Sequence, residues 1–531
     1  MRSFSVFAGI FAFAACVCAQ RNGYTNITTV DEFVARLNTN SIIESKIRTI
    51  LNSSQARSNG IGADTTANAR LACEVTRLVF GSKLYSQQSK TYPDLADNNW
   101  SMTCWLSPKC IFQPESAMEV SKAMLITSFL GSQFAVRSGG HNPNVGFSNV
   151  GSEGVLFDLS KLNDVSLTSD GNHVSIGPGN RWGRVYQILA SSGKMVIGGR
   201  ANDIGVGGLL LGGGLSYWSS IHGMAFNKIV NYEVVLGDSS IVNANQTHNR
   251  DLWWALRGGG ANYGIVTRFD VETVENSSIW FEGLLIDPNE QEALLKVAID
   301  FVAAAENDPN ASATYNMGPT GGAVYLAYNN PTERPEIFKR FYEVSHQTII
   351  NSTIGTWVDY HNAVSDLNPF GALRIAISVY DREWDFATLL DHYKRYTNAS
   401  AQVQDQLNAT MYFVPQMFSK HAVQTTLEKG GSPLNISEKT HCFLEIMITW
   451  TDARFDQDAA QRLQSFGQEI DIEAQGRGTN LNFYYMNDAG SFQNVLKSYG
   501  SLEKMRSVSQ AYDPFQVFQR LQHNGFLLSD A

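Results

Sequence analysis

Three glycine clusters constrain this chain more than any other feature. They are RSGGHN at 137–142, GVGGLLLGGG at 205–214 and RGGGANYG at 257–264. Glycine gives up more chain entropy on folding than any other residue. Such density is justified only where a turn needs positive φ or where backbone meets another backbone or a ligand at close range. In the first cluster an apolar run, FAV, leads into Arg137, Ser138, Gly139, Gly140, His141 and Asn142. Paired glycines there let successive N–H groups converge into an anion-binding nest of the kind that holds a pyrophosphate. An ordinary glycine turn with a surface histidine would explain this cluster alone. The other two, with Gly205, Gly207, Gly208, Gly212 and Gly213 in one of them, favour a flat ligand lying along several loops. The spacing is neither the dinucleotide GxGxxG followed by an acid about 20 residues on nor a P-loop, which requires GK[ST].

Around these clusters the texture changes along the chain. Residues 20–103 carry apolar residues at helical spacing in TVDEFVARLNTNSIIESKIRTIL and ANARLACEVTRLVFG, which predicts a helical lead-in. Residues 104–276 alternate short β-like runs with amphipathic helices, and NYEVVLGDSSIVNA predicts a hairpin about Gly237 and Asp238. Residues 277–480 alternate strands such as ALRIAISVY and HCFLEIMITW with helices such as NEQEALLKVAIDFVAAA. The expected fold class is α+β: a two-part cofactor-binding region, then an antiparallel sheet covered by helices, with 481–531 as a C-terminal segment. A chain of 531 residues is long enough for two or three packed units.

RSGGH, GVGGxLLGGG, NYEVVLxDxSIVNAN and DLWWALRGGGANYGIVTRF, in this order, resemble the FAD-linked oxidases of the berberine bridge enzyme-like group. These stand within the vanillyl-alcohol oxidase superfamily, whose FAD-binding domain is of the PCMH type. The resemblance is strong over about 66–275 and moderate over the last fifty residues. It implies that Arg137 to Asn142 form the pyrophosphate loop and that His141 bonds the flavin 8α-methyl carbon. It also places the glycines of 205–214 beside the isoalloxazine, with Ile265 and Val266 near the adenosine. Many relatives carry a cysteine just before GxGG that makes a second covalent bond. Alignment on GVGG puts Ala201 there, so a single linkage is expected. The apolar Leu209 resembles fungal secondary-metabolism members.

The segment NFYYMNDAG at 482–490 is similar to the family's Y-x-N-Y return over the flavin, with Tyr485 and Asn487 matching and Asp488 in place of the second tyrosine. A carboxylate beside an apolar flavin face resists ionisation, which makes Asp488 a candidate general base, against a solvated turn aspartate. Period-two alternation in HCFLEIMITW sets His441, Phe443 and Glu445 on one face, where Glu445 and His441 either look into the pocket or sit in solvent. Tyr315, Tyr325, Tyr328, Trp357 and Tyr380 are either pocket or core aromatics. No GxSxG, HExxH or paired-cysteine pattern is present, so no metal is expected.

The expected activity is FAD-dependent oxidation of a small apolar secondary metabolite, an alcohol, an amine or a ring closure, with O2 taking the electrons. A mono- or disaccharide oxidase and a flavin-binding protein without oxidase activity are the alternatives. Residues 1–19 read as a signal peptide, with Arg2, an apolar run shorter than the roughly 20 residues of a membrane span, and small residues before Gln20. With ten sequons, at Asn26, Asn52, Asn99, Asn245, Asn276, Asn310, Asn351, Asn398, Asn408 and Asn435, this predicts a secreted glycoprotein. Four cysteines lie beyond the leader, and a Cys73–Cys110 disulfide is preferred, with Cys104 and Cys442 left open. A net charge of −10 with no basic run argues against nucleic acid, and a monomer without a membrane anchor is expected.

Overall fold

The computed structural model describes residues 24–53, 64–367 and 372–531; the predicted leader and most of the Ser/Gly-rich stretch near 53–65 lie outside these. Three main sheets follow one another along the chain. The first contains β1 (Leu84–Ser86), β2 (Cys110–Phe112), β3 (Gln133–Arg137) and β4 (Gly154–Asp158) in the order β1-β2-β4-β3, with β2, β4 and β3 parallel. The second contains β5 (Val165–Leu167), β6 (His173–Ile176), β8 (Ile229–Val235), β9 (Ile241–Asn245) and β10 (Ile265–Glu272) in the antiparallel order β5-β6-β10-β8-β9. A small ribbon of β7 (Lys194–Met195) and β11 (Val274–Glu275) stands beside it. The third contains β12 (Ser278–Ile286), β13 (Ala311–Gly318), β14 (Gly321–Tyr328), β15 (His346–Thr356), β16 (Arg374–Arg382), β17 (Thr410–Phe418) and β18 (His441–Trp450), ordered β15-β12-β14-β13-β17-β18-β16.

Parallel pairing in the first sheet needs a crossover, which helix Ala117–Leu130 supplies between β2 and β3. Ser116 caps it by accepting the Glu119 N–H, and Gly131 ends it in the left-handed region. In the third sheet alternation along β18 splits the strand by face. Cys442, Leu444, Ile446, Ile448 and Trp450 join a core with helices Gln291–Ala305, Phe386–Leu407 and Asp456–Arg477, while Phe443 packs in the core shared with the flavin half. One face is thus covered by helices and the other is turned toward the glycine loops.

The boundary expected at 103/104 does not separate two units. β1 pairs with β2, and Phe33, Leu71 and Val75 share one core with Phe134, Val155 and Phe157. A three-residue strand has no periodicity of its own, so only the flanking helices were legible. Cys73 and Cys110 form a disulfide joining helix Thr65–Phe80 to β2, while Cys104 and Cys442 are separate buried thiols. At the other end of the chain Phe134 of β3 donates its N–H to the Leu521 carbonyl (2.9 Å) and accepts from the His523 N–H (2.7 Å). The C-terminal segment thereby lies along the first sheet. No described helix is long and apolar enough to cross a membrane.

Candidate functional site

A cavity of about 360 Å³ lies where the three sheets meet. Val136 of β3, Ile265, Val266 and Phe269 of β10, and Ile377 and Glu445 of the third sheet line it, with residues 138–142 and the 205–212 turn and helix between them. Most of the predicted glycines face it because the loops are held backbone to backbone. A Cβ on Gly139 would overlap the Gly205 backbone, and Gly140 takes φ +66°. Ser138 Oγ fastens the junction by accepting the Gly207 N–H (3.1 Å) and donating to the Pro178 carbonyl. By contrast a Cβ on Gly208 would meet nothing within 4 Å, and this residue lines the cavity, so protein packing does not explain the glycine. A ligand against that backbone does. A cavity lined by glycine backbone and apolar side chains fits FAD.

Two of the predicted cofactor-binding residues stand elsewhere. Arg137 is 1% exposed and turned away from the cavity, bonded to Asp158 (2.9 Å), Asn99 (3.0 Å) and the Leu95 carbonyl (2.5 Å). As the last residue of β3 it lies opposite Asp158 of β4, and the buried ion pair decides its direction. Gly213 lies behind the wall, where a Cβ would press on Met224 and Tyr485. Asn142 lines the cavity and accepts the Asn144 N–H through its side-chain oxygen (2.9 Å).

His141 lines the cavity with its ring stacked on Trp100, centroids 4.1 Å apart and planes 15° apart. Asp203 stands 3.7 Å from its Nε2. On the opposite wall Asp488 and Glu445 are joined by one amide. Gln416, 4% exposed, donates from Nε2 to Asp488 (2.8 Å) and at 3.5 Å to Glu445, and its oxygen accepts from Arg200. Burial, reinforced by the Asp488 charge and opposed by Arg200, pushes the Glu445 carboxyl up to about 8. Burial raises Asp488 too, but Arg200, the Gln416 hydrogen bond and His141 all oppose the rise. Asp488 is therefore the member that ionises first, and Glu445 keeps its proton at neutral pH.

Tyr485 lines the same wall, but its phenol oxygen accepts the Gly214 (2.9 Å) and Leu215 (3.1 Å) N–H groups and the Asn487 amide (2.9 Å). Asn487 also donates to the Leu209 carbonyl (3.0 Å). These two hold the glycine helix rather than a reacting proton. His441 does not reach the cavity: it is buried at the β18 end between Asp381 (Nδ1, 2.7 Å) and the Ser437 carbonyl (Nε2, 2.8 Å). Tyr315, Tyr325, Tyr328, Trp357 and Tyr380 belong to the cores and do not line the cavity. Trp100, Arg200, Asp203 and Gln416 escaped the sequence reading. Gln416 alone left a signal, as the polar residue in the apolar strand MYFVPQMF.

Residues 108–245 match the FAD binding domain family. An FAD-dependent monooxygenase of Arthrobotrys oligospora is 36% identical over 462 residues, 87% of this chain and 90% of the relative. The chain belongs to the fungal FAD-dependent monooxygenases and oxidoreductases that such relatives represent. Within this family the bifunctional solanapyrone synthase of Alternaria solani is 30% identical over 475 residues, 87% of this chain and 90% of that protein. Among solved structures, wild-type BBE-like 1 of Physcomitrella patens superposes with a TM-score of 0.70 at 18% identity, covering 85% of this chain and 98% of that one, a likeness of fold. The chain is thus an FAD-dependent oxidoreductase with a PCMH-type α+β fold.

Proposed function

We propose that this protein is a secreted oxidase carrying FAD on a single bond to His141, and that it removes a hydride and a proton from a small, largely apolar secondary metabolite. The observation that carries the reading is the buried carboxyl pair on the cavity wall, Asp488 and Glu445, both held by Gln416. The cavity glycines and residues 138–142 would hold the cofactor, with Ala201 leaving His141 as the one anchor. Bound there, FAD supplies the acceptor for the hydride, and O2 is the proposed final acceptor. Asp488 takes the substrate O–H or N–H proton, which needs its carboxylate form. Protonated Glu445 donates a hydrogen bond without adding a second charge, and Leu209, Leu211, Leu215 and Ile377 keep water from that side of the cavity. A partner subunit contributes nothing to this scheme, and the protein is proposed to act as a monomer.

The apolar wall and the kinship with a solanapyrone synthase support the substrate class. The test is anaerobic reduction of the purified holoprotein by a panel of apolar alcohols and amines, followed by readmission of ¹⁸O-labelled O2. Bleaching of the flavin band with one H2O2 formed per turnover and no label in the product is expected. Label in the product makes the protein a monooxygenase, reduction by sugars alone makes it a carbohydrate oxidase, and reduction by dithionite alone makes it a binding protein.

A further inference from the structure

Away from the carboxylate pair, a buried carboxylate oxygen beside the cavity lacks a hydrogen bond. Asp203 Oδ2 makes no hydrogen bond and lies 3.7 Å from His141 Nε2. A buried carboxylate oxygen without a donor is costly enough that such atoms in folded proteins nearly always serve a partner. The Asp203 backbone is fixed, its carbonyl accepting from the Arg181 guanidinium and its chain running into helix Val206–Gly212. The plane of the His141 ring is set separately by the Trp100 indole. Plane and ring-nitrogen environment are thus controlled by two different residues, which is more control than a surface histidine needs.

We infer that Asp203 is the positioning residue for attachment of the flavin, an inference that rests on the reading of His141 as the tether. A carboxylate only accepts, so Asp203 selects the imidazole form with its proton on Nε2 and leaves the lone pair on Nδ1. That nitrogen is the nucleophile. In the attachment step the 8α-methyl group loses one C–H proton, the Nδ1 lone pair forms the new C–N bond, and the flavin ring gains two electrons. The Nε2 proton, acidified by the positive charge that alkylation would place on the ring, passes to Asp203. Dioxygen then takes the two electrons from the reduced flavin together with the two released protons, the 8α-methyl proton by way of solvent and the Nε2 proton by way of Asp203, giving hydrogen peroxide and the oxidised, tethered cofactor. Trp100 resists rotation of the ring out of line while the bond forms.

The test uses the full chain incubated with excess FAD, stopped with acid at intervals. Two quantities are read: total flavin that co-elutes with native protein, and flavin that stays in the acid pellet. Wild-type protein is compared with Asp203→Asn, Asp203→Glu and His141→Ala. The expected result is wild-type-like total flavin in Asp203→Asn with the rate of acid-stable incorporation at least tenfold lower, and partial recovery of that rate in Asp203→Glu. Asp203→Asn tethering at the wild-type rate overturns the inference and leaves the His141 tether standing. Total and acid-stable flavin falling in the same proportion in both Asp203 variants also overturns it, because a structural defect moves both readouts together. Acid release of all flavin from wild type removes the tether reading itself, and this inference with it.

Discussion

Asp488 and Glu445 differ by their neighbours more than by their chemistry. Both are raised by burial, but Asp488 alone accepts a close hydrogen bond and feels Arg200 and His141 together. The acid limb of the reduction rate should therefore belong to Asp488, with activity present above its raised pKa and lost as pH falls through it. Asp488→Asn should slow flavin reduction by about 10²–10⁴-fold and erase that limb while flavin content holds, as stopped-flow absorbance would show. Glu445 should produce a second change near pH 8, absent in Glu445→Gln. Stability gives an independent check. Folded Glu445 keeps its proton up to about pH 8 whereas its unfolded reference is 4.5, so the folded state binds more protons between these values and loses stability as pH rises through them. The Tm of Glu445→Gln should gain on wild type between pH 5 and pH 8.5.

At the scale of elements, the short turn 485–488 links the sheet half to the glycine helix. Tyr485, 1% exposed, accepts two backbone N–H groups where the chain leaves helix Val206–Gly212, and a Cβ on Gly212 would overlap the Asn487 side-chain oxygen. Tyr485→Phe leaves buried amides without an acceptor and should cost about 1–3 kcal/mol, measured by urea unfolding, with weaker flavin retention and the Asp488 limb still present. The Cys73–Cys110 disulfide, 37 residues apart in sequence, ties the helical lead-in to β2. Replacing both with serine should cost about 3–4 kcal/mol if the chain-entropy account holds, seen as a lower Tm that reducing agent no longer changes. At this scale the sequence was most legible. Strong periodicity marked Gln291–Ala305, β16 and β18, whereas β1, at three residues, had none.

Across the whole molecule, surface and interior divide the sequons. Asn26, Asn52, Asn351, Asn398, Asn408 and Asn435 are exposed, whereas Asn99 is 6% exposed and bonded to Arg137 and Ser148. Glycopeptide mass spectrometry of protein made in a eukaryotic secretory host should find glycan at exposed sites and none at Asn99. Asn99→Gln should leave the glycan mass as it was yet lower Tm, because it disturbs the partner of a buried guanidinium.

The glycine clusters, the strand and helix periods and the ordered motifs by themselves determined the α+β class, the FAD-binding character and the choice of His141 and Asp488, because each depends on residues close together along the chain. The tertiary structure decided what depends on residues far apart. It turned Arg137 into the core, closed His441 onto Asp381, spent the Tyr485 phenol on backbone amides, and brought Gln416 between Glu445 and Asp488. The physical reason is that a polar side chain inside a protein points wherever its hydrogen bonds can be met, and the groups that meet them are 21 residues away for Arg137, 60 for His441 and 72 between Gln416 and Asp488.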